Sequence, residues 1–418
     1  MLNIPPFLLP SIGFFLIILL CCMLSKKRSS IDWWAVFKCF SVSLALALAI
    51  THIPFIEHVF EHLGKGINAL QSATIAGTKT VFGYLGGSET PFDIPENRKN
   101  FAHIFAFQSL PMVIVVGALS MLFFYWGIIA LFVRVLSPLF ERMLSIGGAM
   151  GIVSITKIFF GPMEVALFVK PYLKNFSRSE IFTLMTLGLA TSAMSIIPVY
   201  GYIIHSLIPN AMPVFLMTNV ITIPIVIGLC KIIEPDQHKT GGSLESMYTF
   251  SGSLDAISRG TREGLSIYIN ILAMLIVMGA LISLCNQILG LVPTEKAITL
   301  QYILGYVFSP IALLMGIPAN ETFQAAQLLG TKMALNEVFA FMDFATVGQT
   351  LSIKTRIILT SALASFTNVA SLGVSVAGVA AMCPEQRNNL VALGFKALLI
   401  GTLATGITAS LLGFLLVK

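Results

Sequence analysis

The stretch Gly330-Thr331-Lys332-Met333-Ala334-Leu335-Asn336-Glu337-Val338-Phe339-Ala340-Phe341 sets a polar Asn336-Glu337 pair in the middle of an apolar segment, 318 to 346. An unbroken apolar run of about 20 residues crosses a bilayer as a helix, because all its backbone hydrogen bonds close within it. This run is broken at mid-length. Residues 147 to 175 are apolar too, and are interrupted by Gly161-Pro162 just before Glu164. Each stretch predicts a re-entrant hairpin whose tip stops inside the membrane, where irregular backbone survives only beside protein or a water-filled cavity.

The rest of the chain places these hairpins in a bilayer. Of 418 residues, 56% are hydrophobic and 11% charged, more apolar surface than a soluble domain could hide. The reading is an all-α polytopic membrane protein with about eight transmembrane helices, at 7–25, 33–53, 109–135, 178–206, 210–232, 264–290, 356–382 and 390–417, plus the two hairpins in inverted repeats. The first apolar run differs from a signal peptide because Lys26, Lys27 and Arg28 follow it. The positive-inside rule puts that cluster in the cytoplasm and both chain ends outside. Arg134, Arg142, Lys170, Lys174, Arg178, Lys239, Arg259, Arg262 and Arg387 then fall on the cytoplasmic side, with Arg98, Lys99, Lys354 and Arg356 as exceptions. The net charge of +6 reads as topology and implies no nucleic-acid partner. Residues 57–105, carrying Gly86, Gly87, Pro91 and Pro95, are expected at the outer interface, and 234–262 as a cytoplasmic linker.

The two broken stretches also resemble one another. Glu164-Val-Ala-Leu-Phe is followed by Thr191 in Leu189-Ala190-Thr191-Ser192-Ala193, and Glu337-Val-Phe-Ala-Phe by Asn368 in Phe366-Thr367-Asn368-Val369-Ala370. Such internal symmetry is what inverted-repeat carriers show. The expected organisation is a scaffold region over 1–135, a first transport repeat over 136–233, a linker with one scaffold helix over 234–298, and a second transport repeat over 299–418.

Ionised carboxylates at mid-membrane cost several kcal/mol unless paired or solvated. Glu164 and Glu337 are either helix caps or lysine partners, or they face a wet cavity and accept hydrogen bonds from a polyhydroxylated ligand. Asn368 and Ser371 lie one helical turn apart and so share a face; alone, either could serve only helix packing. With Phe366 beside them, an aromatic plane, an amide and a hydroxyl could stack a base and hold a sugar. Catalytic chemistry finds little footing. The cysteines at 21, 22, 39, 230, 285 and 383 suit neither a metal nor a disulfide framework, no histidine is followed by the glutamate of an H-E-x-x-H motif, and there is no G-x-S-x-G elbow. No cofactor or metal is expected. An intramembrane enzyme using the two carboxylates remains an alternative without a visible nucleophile.

The run from Gly330 to Phe341 resembles the signature G-x-K-x-x-x-N-E-F-V-A of the concentrative nucleoside transporters, with the Phe-Val order inverted. Phe105-Ala106-Phe107-Gln108-Ser109-Leu110-Pro111, Gly264 to Leu275 with Asn270, and Ser365 to Ser371 match in the same order. The resemblance implies a nucleoside symporter in a bacterial inner membrane, a homotrimer whose protomers each carry a scaffold and a moving transport domain. It implies that Glu337, Asn368 and Ser371 take the ribose hydroxyls and Glu164 the base, with Phe366 and Ile267 packed around it. The first hairpin departs from the pattern. Where members read N-x-x-x-G-Q-T-E, this chain reads Lys157-Ile158-Phe159-Phe160-Gly161-Pro162-Met163-Glu164. Base selectivity therefore does not carry over, Met163 replaces a polar base contact, and a nucleobase, modified nucleoside or other hydroxylated metabolite is a second candidate ligand. Lys157 stands at the position of a sodium-ligating asparagine, beside Thr191. An ammonium donates and cannot ligate sodium. The expectation is a tethered cation bonded to Thr191 and the Phe160 carbonyl, with protons rather than sodium as coupling ion; the alternative is a lysine that snorkels to the interface.

Overall fold

The computed structural model describes residues 8–93, 104–235, 238–243, 250–291 and 298–416. Arg98, Lys99 and Pro95 lie outside them. No strand occurs among the described residues, which form α1 Leu8–Leu24, α2 Trp33–His52, α3 Pro54–Phe82, α4 Phe105–Gln108, α5 Met112–Tyr125, α6 Ile128–Leu144, α7 Gly148–Phe159, α8 Pro162–Phe168, α9 Lys170–Leu173, α10 Arg178–Ala190, α11 Ile197–Ile203, α12 Met212–Ile233, α13 Ser253–Leu289, α14 Leu300–Leu314, α15 Ala319–Ala334, α16 Glu337–Val347, α17 Ile353–Leu363, α18 Val369–Met382 and α19 Arg387–Leu415. The described residues form an all-helical fold.

Among the described residues, five segments are each long and apolar enough to cross a membrane unaided: α2, α4 with α5, α12, α13 and the segment ending in α19. Both hairpins form where the sequence is interrupted. The first is α7 and α8, broken at Phe160-Gly161 with Pro162 at the start of α8, where its missing N–H costs nothing. The second is α15 and α16, broken at Leu335-Asn336, where the Asn336 side chain accepts the Phe339 N–H at 3.1 Å.

Three expected spans come out differently. The span 109–135 is two helices, because Gly127 in a left-handed conformation (φ 77°) turns the chain between α5 and α6. The second of these, α6, runs through the proposed domain boundary at 135 and exposes Leu131, Phe132, Val135 and Leu139 along one face. The spans 178–206 and 356–382 are each discontinuous, as α10 then α11 and α17 then α18. Thr191 to Ile196 fills the first break and Ala364 to Asn368 the second. The apolar helix α14 is 15 residues long, shorter than a full crossing, and packs along α15. In the polar linker, α13 already begins at Ser253.

Packing sorts the helices. Nearly all of α12 is buried, at the centre of the molecule. By contrast α13 is mostly exposed and touches α5 through a seam of glycines: a Cβ on Gly260 would strike the Gly117 carbonyl, and one on Gly264 would lie 2.6 Å from the Ile114 Cα. Small residues four apart let helix backbones approach this closely in lipid.

Candidate substrate and ion site

The two hairpin tips and the two broken helices converge on one place. At the second tip Glu337 opens α16, so its carboxylate sits in the first turn, where the helix N-terminus favours negative charge. It is 6% exposed, and both oxygens are engaged. Oε1 accepts from the Tyr200 hydroxyl at 2.9 Å and Oε2 from Asn368 Nδ2 at 2.9 Å. Four acceptor directions on a carboxylate leave room for ligand hydroxyls.

Asn368 is the cap of α18, its Oδ1 accepting from the Ser371 N–H at 2.7 Å. The expected shared helical face is therefore a cap: Asn368 and Ser371 are brought together by a side chain folding onto the first turn. Phe366 and Ile267 pack on the same apolar cluster, which also holds Phe341 and Tyr200.

At the first tip Lys157 ends α7 and is fully buried. Its Nζ donates to the Phe160 carbonyl at 3.2 Å and lies 5.5 Å from the centroid of the Phe366 ring. The expected Phe160 partner is present. The Thr191 hydroxyl instead donates to the Leu187 carbonyl at 2.9 Å. Glu164 is half-buried in the first turn of α8, within electrostatic reach of Lys157, and folds back so that a Cβ on Gly161 would meet its Oε2 at 2.5 Å. The Met163 thioether lies against Gly378 of α18.

Two residues that sequence reasoning did not single out complete the site. Tyr200 on α11 is fully buried and stacks on Phe341, centroids 4.7 Å apart. Lys332 ends α15 as Lys157 ends α7; it too is buried, donating to the Ala362 carbonyl at 2.7 Å and to Ser365 Oγ at 2.5 Å. Each hairpin thus sends one ammonium to backbone carbonyls at a break. Lys332 was visible in the signature run, but no mark in the sequence tied Tyr200 to Glu337. Asn219 on α12 closes the other break, accepting from the Ser192 N–H and donating to the Ser192 carbonyl, both at 3.0 Å.

Family profiles cover this architecture end to end. "Na+ dependent nucleoside transporter N-terminus" matches residues 12–85, "Nucleoside recognition" 106–207 and "Na+ dependent nucleoside transporter C-terminus" 214–413. The chain is 33% identical to the uncharacterized transporter YutK of Bacillus subtilis, over 74% of this chain and 77% of that protein. The chain belongs to the concentrative nucleoside transporter family. Its relatives are transporters, not enzymes. The nucleoside permease NupC of Helicobacter pylori is 27% identical to this transporter, over 97% of both chains. The structure of CNTnw in an inward-facing substrate-bound state superposes with a TM-score of 0.88 at 28% identity, covering 98% of this chain and 99% of that one.

Proposed function

We propose that this transporter carries nucleosides into a bacterial cell across the inner membrane by alternating access, as a homotrimer, without sodium. Glu337, held between Tyr200 and Asn368 at a hairpin tip, is the observation that carries the substrate reading: a preorganised carboxylate beside an amide suits vicinal ribose hydroxyls. Ser371 and Glu164 are assigned the remaining polar contacts, with Phe366 and Ile267 as apolar walls. The parts that move against α5 and α13 are assigned to 136–233 and 299–418.

The coupling assignment rests on Lys157. Its ammonium fills, with a covalent leash, the place where relatives are expected to hold a sodium ion. The Phe160 carbonyl accepts a hydrogen bond from it and the face of Phe366 lies near the charge, an arrangement attractive to cations. A site that already holds a cation has no room for another, which leaves protons or no ion to drive uptake.

Uptake of labelled uridine and adenosine into proteoliposomes, with sodium and proton gradients imposed separately, tests both assignments. Uptake driven by protons or by neither gradient supports them; sodium-driven uptake overturns the role of Lys157. Failure of folded protein to take up either nucleoside shifts the ligand to another hydroxylated metabolite, the reading favoured by Pro162 and Met163 at the base position.

A further inference from the structure

A second polar cleft, of about 550 Å³, opens between the C-terminal half of α13 and hairpin 2. Leu335, two residues before Glu337, is among its lining residues, so the cleft reaches the tip that bears the substrate carboxylate. Phe339 and Asp343, one helical turn apart on α16, form one wall, while Ser283, Asn286 and Gln287 of α13 and Gln301 of α14 form the other. The α13 wall passes close to the Phe339 ring: a Cβ on Gly279 would lie 3.4 Å from it.

The chemistry of the lining is selective. Asp343 is half-buried in an apolar helix, and its carboxylate has no hydrogen bond or ion pair among the described residues. An ionisable group in that position marks a ligand path more often than a packing element. The amides opposite are fixed: Asn286 Oδ1 accepts the Leu300 N–H at 2.8 Å, Asn286 Nδ2 donates to Gln301 Oε1 at 3.2 Å, and Gln287 Nε2 donates to Ser283 Oγ at 3.2 Å. Among these bonds the Gln301 amide protons and the Ser283 hydroxyl proton remain available as donors, and Asp343 as acceptor. Among the described residues no lysine, arginine or histidine lines the cleft, a lining that suits a neutral ligand better than a phosphorylated one. One carboxylate among amide donors is a poor cage for a metal cation. An aromatic face, fixed amides, one acceptor and a volume in the range of small-molecule sites suit a neutral, flat, hydroxylated molecule.

We propose that this cleft is a second nucleoside site, an outer waiting position from which substrate passes the tip of hairpin 2 to Glu337. The assignment rests on the nucleoside-carrier reading and on α13 running outward from the polar linker.

The test uses full-length protein in liposomes, with Ser283→Cys placed in a Cys285→Ser background and labelled by a membrane-impermeant maleimide from the outer side. Uridine at millimolar concentration is expected to slow labelling, and uridine 5′-monophosphate is not. The same protection is expected when Glu337→Gln and Asn368→Ala are added, although those changes abolish uptake. Asp343→Asn in the otherwise native chain is expected to raise KM roughly tenfold with kcat little changed, the signature of lost binding on the way in. Protection that disappears with the Glu337→Gln/Asn368→Ala pair shows that only the inner site binds and overturns the proposal. So does a thiol at 283 that is never labelled, or protection by sodium chloride alone. If the parent chain takes up no nucleoside, the carrier reading fails by itself, and uridine protection at position 283 then decides whether the cleft stands without it.

Discussion

At the scale of single residues, the site depends on Glu337 being an acceptor twice over. Glu337→Gln keeps the shape but removes the charge: its oxygen can still accept from Asn368 Nδ2, while its N–H₂ must turn to the Tyr200 hydroxyl, which then accepts instead of donating, and one oxygen's acceptor sites for ligand hydroxyls are lost. A hydrogen bond to a charged group contributes about 1.5–3 kcal/mol against about 1 for a neutral one, so weakening the ligand's bonds to this carboxylate is expected to lower nucleoside uptake by roughly a hundredfold. Tyr200→Phe removes one donor and leaves the charge and the Asn368 contact; its loss is expected near tenfold. Initial uptake rates, with thermal melting to confirm folding, separate the two. An equal loss in both would mean that Tyr200 positions the whole tip.

Lys157 gives the sharper residue-scale test. Lys157→Asn replaces an ammonium by a side chain whose carbonyl can ligate sodium. Uptake by that variant is expected to become dependent on a sodium gradient, whereas Lys157→Met is expected to be inactive, because the cavity then holds neither tethered nor free cation. Unchanged ion dependence in Lys157→Asn would remove the tethered-cation assignment. The lysine was legible in the sequence as a departure at a patterned position, and so was its Phe160 partner. Its approach to Phe366 was not, since that ring comes from the other repeat, more than 200 positions along the chain.

At the scale of elements, breaks matter more than helices. Those at Gly161-Pro162 and Asn336-Glu337 could be read in advance because Pro, Gly and a capping Asn act through local chemistry. Those inside 178–206 and 356–382 were harder to see. Pro198 and Asn368 marked them, but the apolar composition on both sides is that of a continuous span. The backbone groups of a break must be satisfied by distant side chains, and Asn219 does this for Ser192 from 27 residues away. Asn219→Leu preserves volume while leaving a buried N–H and C=O without partners. The expected cost is roughly 2–4 kcal/mol, read as a lower melting midpoint in detergent, with uptake lost in proportion to folded protein. A melting midpoint equal to that of the parent would show that water or another group closes the break.

At the scale of the whole molecule, the polar linker has two different attachments. Residues 240–243 are fastened to the first repeat. The Ala149 N–H donates to the Thr240 carbonyl at 3.2 Å, and the buried Glu180 carboxylate accepts the Thr240 N–H at 2.8 Å and its hydroxyl at 2.7 Å. Tyr172 bonds both the N–H and the carbonyl of Ser243. Further on, Phe250 packs edge-on against Phe124 and Tyr125 of α5. A polar, glycine-bearing composition suggested a free tether, because it encodes solubility and says nothing of which carbonyl meets which amide. If hairpin 1 moves against α5 and α13 during transport, residues 240–243 must travel with it. A disulfide between Ala149→Cys and Gly242→Cys, whose Cβ positions lie about 3.1 Å apart, is then expected to leave uptake intact, since it joins two parts of one moving body. Loss of uptake on oxidation, restored by reductant, would instead place residues 240–243 with the fixed part and require Glu180 to release Thr240 in every transport cycle.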